Sequence, residues 1–284
     1  MADREVTWVA PDGTTVPFDA STGICLRRGM SGRYMPPVEH VTDDVAGLDG
    51  AQVRKTRYAA RDVTIPVTVT GAGYQSTLRY LASKLDPERP GRLRVGDRQL
   101  VARYAEGLEV DEAEGLFDRH RPAVLVFTAH DPMWEDVTAT TVTADAAGDA
   151  FLSPDADTPW YTWRIAADQA VGSFLIDNDG DRYAWPRWTI QGPGGSVTLE
   201  NRTTGERIEL DVALNAGERV EVDTRPGRKT IIGPDGDNLW ADASDDTTLW
   251  PLQTGSQTVD IVMPDAEPGE TNVRLEYRRR WLTV

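Results

Sequence analysis

The clearest pattern of apolar and polar positions lies between residues 61 and 134. From Val63 to Thr70, the apolar residues Val63, Ile65, Val67 and Val69 take every second position, the period of a strand with one buried face. The period then changes. Tyr74, Leu78, Leu81 and Leu85 recur at helical spacing until Asp86-Pro87 closes the run. Two alternating strands follow, and Ala123 to Ala129 is nearly continuously apolar, which predicts a central strand ended by Asp131-Pro132. Together these segments predict one helix packed on an antiparallel sheet, an α+β unit.

The flanks are less regular. Glu5 to Val9 and Thr14 to Phe18 surround Pro11-Asp12-Gly13 and predict a β-hairpin. Residues 28–58 have Gly and Pro punctuation and few periodic apolar positions, and predict a long loop leaving the core. Tyr34, Met35, Pro36 and Pro37 give that loop apolar area a solvated segment would not need, so a partner is expected to hold it. After Trp134 the chain turns small, polar and acidic, which places a domain join near residue 140, with domains 1–138 and 139–284. The second half has no helical period. Short alternating runs include Trp160 to Ala166, Gly172 to Asp177, Arg187 to Gln191, Arg219 to Asp223 and Asn272 to Trp281. With Gly- and Asn-rich turns between them, they predict an all-β sandwich or jelly roll. The last run puts Val273, Leu275, Tyr277 and Trp281 on one face, where Arg279 also falls and would need a buried carboxylate.

Composition narrows the function. A net charge of -16 and a pI near 4.6 argue against tight nucleic-acid binding, since duplex phosphates repel such a surface. Lys55, Lys84 and Lys229 are the only lysines, so positive charge is nearly all Arg, suited to bidentate pairing at interfaces or simply the product of a GC-rich genome. The single Cys25 lies between apolar neighbours as a buried structural thiol, and excludes an intramolecular disulfide or a cysteine metal site. No apolar run approaches the roughly 20 residues of a membrane span or forms a signal peptide, so no membrane partner and synthesis in the cytoplasm are expected.

Candidate chemistry is sparse. Gly71-Ala72-Gly73-Tyr74-Gln75-Ser76 opens a helix after a strand. However, Ser76 replaces the third glycine of a dinucleotide fingerprint, and a strand-to-helix turn capped by Ser76 is preferred. Asp177-Asn178-Asp179-Gly180-Asp181 fails the calcium-loop frame, with Arg182 at the glycine position and Trp188 at the carboxylate position, and is read as a tight hairpin turn. His40, His120 and His130 have no ligand neighbours at metal spacing, and no nucleophile elbow is present. No catalytic, cofactor or metal site is assigned. The tryptophans of the second half serve either as core or as a platform for sugar rings, with Trp160, Trp163, Trp240 and Trp250 the candidates for glycan stacking.

The order of several motifs resembles the distal tail protein (Dit) family of siphophages: RDVTIPVTV before a helix ending KLDPERPG, then RLRV, RQLVARYAEGLEV and FTAHDPMW, and later IDNDGDRYAWPRWTIQGP, VTLENRTTGERIEL and LNAGERVEVDT. The resemblance implies an N-terminal domain that assembles into a hexameric ring, a galectin-like C-terminal sandwich, and a virion protein at the tail tip. Such a hub joins tail tube to baseplate and lets DNA pass. It implies the tail tube protein, the tape measure protein and a tail-tip protein as partners. The candidate inter-subunit contacts are Arg33, Tyr34, Met35, Pro36, Pro37, Arg54 and Arg57. The alternative function is a glycan-binding module acting in host adsorption.

Overall fold

The computed structural model describes residues 5–44, 47, 49–71, 73–109, 120–146 and 170–284, and divides the chain into two units. The first comprises Met1–Thr138 and Arg280–Val284, the second Ala139–Arg279. The last five residues, which the sequence pattern assigned to the second half, therefore return to the first.

Unit 1 contains β1 (Val6–Val9), β2 (Thr15–Pro17), β3 (Ile24–Leu26), β4 (Val38–Asp44), β5 (Ala51–Tyr58), β6 (Arg61–Thr70), α1 (Tyr74–Lys84), β7 (Gly91–Val95), β8 (Arg98–Gly107), β9 (His120–Ala129) and β10 (Trp134–Asp136). The hydrogen-bonded order is β2-β1-β7-β8-β9-β6-β3, with β9 central as its apolar run predicts. The Leu26 amide donates to the Phe18 carbonyl at 3.4 Å, joining the ends of the two edge strands, so the sheet curls toward a closed barrel. Val63, Ile65, Val67 and Val69 are all buried, and with Trp8, Leu81, Leu85, Leu93, Leu125 and Phe127 they make the interior. Such alternation forces the chain into this register, because a one-residue slip would expose the whole apolar set. The Trp8 ring lies 4.5 Å from Phe127, and its indole N–H donates at 2.9 Å to the Lys84 carbonyl, one of the carbonyls a helix end leaves unpaired. Gly91 permits this: a Cβ there would lie 2.4 Å from the Trp8 ring. The expected Ser76 cap is not formed. Gly73 is the N-cap without a side-chain bond, and the Ser76 hydroxyl donates back to the Gly73 carbonyl at 2.6 Å.

Residues 28–58 are not a loop throughout. β4 and β5 pair with each other in a two-stranded sheet of their own, an arm whose residues are nearly all exposed. Exposure explains the miss: with solvent on both faces, no period of apolar residues is required.

Unit 2 contains β11 (Thr140–Asp145), β12 (Ala170–Asn178), β13 (Arg187–Gln191), β14 (Val197–Asn201), β15 (Arg207–Leu210), β16 (Arg219–Asp223), β17 (Thr230–Ile232), β18 (Gly255–Val262) and β19 (Asn272–Tyr277). Two sheets, β11-β19-β13-β16-β17 and β12-β18-β14-β15, contribute to one core that includes Trp188, Ile190, Leu199, Val222, Val259 and Leu275, a sandwich arrangement. β11 lies in the stretch read as a linker. Thr140, Val142 and Ala144 are half-buried and Thr141, Thr143 and Asp145 exposed, and Val142 and Ala144 pack against the sandwich core while the strand pairs with β19. The Asp177–Asp181 turn does not close a hairpin, because β12 pairs with the distant β18. The buried Asn178 amide donates to the carbonyls of Arg182, Leu252 and Gln253 at 3.1 to 3.2 Å, so this segment is anchored from inside. The Trp160 to Ala166 run falls outside the described residues.

The predicted terminal strand breaks after Tyr277, and β20 (Arg280–Trp281) pairs with β10 in unit 1. That break reassigns the buried cation. Arg279 is partly exposed and paired with Asp179 at 2.8 Å, whereas Arg280 is the buried one and meets Asp131.

Candidate functional site

The arm begins from a strap that is held tightly. Met30 is buried in the unit 1 core, and Ser31 bridges to Thr64 of β6. Gly32 follows at φ +78, so close to β6 that a Cβ would lie 2.0 Å from the Asp62 carbonyl. Only glycine fits both the conformation and the approach. The buried Arg61 donates to the Gly32 carbonyl at 3.2 Å and to the Leu282 carbonyl at 2.9 Å, and sits 5.9 Å from the Trp134 ring. Its burial lowers its pKa to about 10, still charged at neutral pH. The Ala59 amide donates to the Pro37 carbonyl at 2.8 Å and closes the root.

Beyond the root, apolar side chains stand in solvent. Tyr34 is 63% exposed, Met35 58% and Val53 58%, with Val38 and Val41 also exposed. Arg57 pairs with Glu39 at 2.7 Å, Arg54 pairs with Asp43, and the His40 ring shares a 2.9 Å hydrogen bond with Thr56. Exposed pairs of this kind contribute little. A two-stranded ribbon without a core is marginal in water, so an arm of this length fits a protein that covers it with a partner. Of the candidate contacts, Tyr34, Met35, Pro37, Arg54 and Arg57 are exposed and Arg33 is half-buried with its guanidinium 5.7 Å from the Tyr34 ring. Pro36 is buried, so it does not belong to this exposed surface. Val38 and Val53, which the sequence reading did not single out, belong to the same exposed surface. Their signal was only β-branched residues in a polar ribbon.

The tryptophan candidates separate. Trp250 is fully buried and meets Trp188 edge-on at 5.5 Å, so it cannot stack on a sugar; it fills the sandwich core. Trp240 is 42% exposed in a 3-10 turn, and Trp160 and Trp163 lie outside the described residues. Among the described residues no group of three or more His, Cys, Asp or Glu could hold a metal ion, and no helix is long and apolar enough to cross a membrane.

A family profile described as the siphovirus-type tail component, C-terminal domain, matches residues 179–281, and one described as the phage tail protein RIFT-related domain matches residues 26–128. The chain belongs to the siphophage distal tail protein family. It is accordingly a structural component of a phage tail. Among solved structures, the SPP1 Dit protein, described as a paradigm of the hub adsorption apparatus in phages infecting Gram-positive bacteria, is 12% identical. That match covers 97% of this chain and 98% of that one, with a TM-score of 0.69. A chain of the phage P2 baseplate in its activated conformation with calcium is 11% identical over 100% of both chains, with a TM-score of 0.56. At these identities the structural likeness is one of fold. No curated protein matches the sequence.

Proposed function

We propose that this chain is a non-enzymatic distal tail hub whose N-terminal domain, residues 1–138, closes into a hexameric ring between tail tube and baseplate or tail tip, leaving a lumen for DNA. The observation that carries the reading is the arm of β4 and β5: a rooted ribbon with apolar residues in solvent on both sides of its strands, in a member of a tail-component family. The tail tube protein, tape measure protein and tail-tip protein are its partners in this reading, and the 139–284 domain is a galectin-like sandwich turned outward. The net charge of -16 supports a conduit that DNA passes without adhering. A glycan-binding role is not proposed, since Trp250 is core and among the described candidates only Trp240 reaches solvent.

Sedimentation of the full chain, beside a variant in which Val38–Tyr58 is replaced by a short Gly-Ser turn, tests this. The full chain is expected to give a hexamer and the armless variant a monomer with unchanged β-sheet circular dichroism. A full chain that stays monomeric at all concentrations, alone and with the tail tube protein, would overturn it.

A further inference from the structure

A cavity of about 500 Å³ opens where the barrel nearly closes, with Phe18 and Leu26 among its walls. One wall is a bulge. The Arg27 amide donates to the Pro66 carbonyl at 2.8 Å and the Ser31 amide to the Thr64 carbonyl at 3.1 Å, so four residues are advanced on this strand against two on β6. The surplus is taken up between them, where Gly29 has φ +103, a conformation that favours glycine. Such a bulge re-aims the side chains it carries, and Arg27, Arg28 and Arg33 all line the cavity.

None of these three arginines has an ion-pair partner among the described residues, although two carboxylates share the same walls. Asp19 is engaged by Ser21, whose amide donates to it at 2.7 Å and whose hydroxyl donates to the same oxygen. Glu5 forms no ion pair among the described residues. Arg33 is half-buried, and its Nε lies buried with no hydrogen-bond partner, a group that costs stability while it is unmet. The rest of the lining is largely apolar: Val6, Phe18 and Met30 are buried and Leu26 half-buried. A chain of net charge -16 has acids in excess, yet leaves three cations without one at a single opening.

We propose that this cavity binds an acidic segment of another protein, its carboxylates on Arg27, Arg28 and Arg33 and its apolar side chains against Phe18, Leu26 and Met30. The planar fork of a guanidinium offers a carboxylate two parallel N–H donors. Inorganic phosphate would meet the same cations but leave the apolar wall uncovered. A nucleic acid would in addition meet the net negative charge of the whole chain. The assignment stands whether or not the chain closes into a ring.

The test is titration calorimetry of the full chain with the blocked peptide acetyl-Glu-Leu-Glu-Leu-Glu-amide. Salt at about 0.15 M, with a Debye length of about 8 Å, screens acids that lie farther off. One peptide is expected to bind per chain. Arg27→Gln with Arg28→Gln, both at exposed positions, should weaken binding about tenfold or more. Arg92→Gln, an exposed arginine of β7 outside the cavity, should leave affinity within about twofold. The peptide with Gln in place of Glu should not bind. No binding up to about 1 mM, equal loss in the Arg92 variant, or equal binding of the Gln peptide overturns the proposal. Displacement of the peptide by equimolar inorganic phosphate overturns the choice of an acidic segment as the ligand.

Discussion

Arg61 reaches Leu282, 221 positions later in the chain, with a 2.9 Å hydrogen bond from its guanidinium to the Leu282 carbonyl. The same side chain also holds the Gly32 carbonyl, so the arm root and the end of the chain share one buried donor. Arg61→Met leaves two carbonyls without that donor and should destabilise unit 1 by about 1–3 kcal/mol. A urea midpoint unchanged from the parent would mean that desolvation of the guanidinium cancels both bonds.

Truncation before Arg280 removes β20 and the cation paired with Asp131. The stacking of Arg98 on Trp281, 4.0 Å to the ring centroid, and the 2.9 Å bond from the Trp281 indole to Asp136 are lost with it. Hydrogen exchange should accelerate at Trp134–Asp136, where β10 loses one neighbour, while Val197–Asn201 in unit 2 keeps its protection. Equal acceleration in both segments would contradict the division of the chain at these points.

Trp250→Ala opens a cavity beside Trp188 and should cost about 3–5 kcal/mol in chemical unfolding. Trp240→Ala, at an exposed site, should stay within about 0.5 kcal/mol of the parent. The contrast separates core from surface indoles in one experiment.

Burial alone would raise the Asp223 pKa, but hydrogen bonds and charge from Arg225 and Arg187 outweigh it and hold the carboxyl below its ordinary value of 3.8. A depressed folded pKa contributes stability above the unfolded value and loses it as pH falls through the folded one. Unit 2 should therefore weaken as pH drops below about 4, and Asp223→Asn should flatten that slope. Thermal unfolding measured across this range decides it.

In the proposed ring, six copies at -16 each would bring on the order of a hundred negative charges together. Ring assembly should then strengthen as salt rises from low to moderate levels and screens the repulsion. Light scattering that shows assemblies dissolving over that range would refute the argument.

Periodicity made the interior of unit 1 legible. Val63, Ile65, Val67 and Val69 permit one buried face in one register, and the Tyr74 to Leu85 spacing permits a helix. Both signals are local, because the side-chain period follows from backbone geometry alone. The alternating runs of the second half likewise declared an all-β unit. Sequence could not say that β12 pairs with β18, that Arg280 rather than Arg279 is buried, or that Trp250 is core while Trp240 is not. Those outcomes depend on which distant segments meet, and composition is the same either way. Sequence showed that residues 28–58 leave the core, but not that they hold a strand pair: with nothing of its own chain against either face, no buried side imposed an apolar period on β4 and β5, and only the fold shows them as a separate two-stranded sheet.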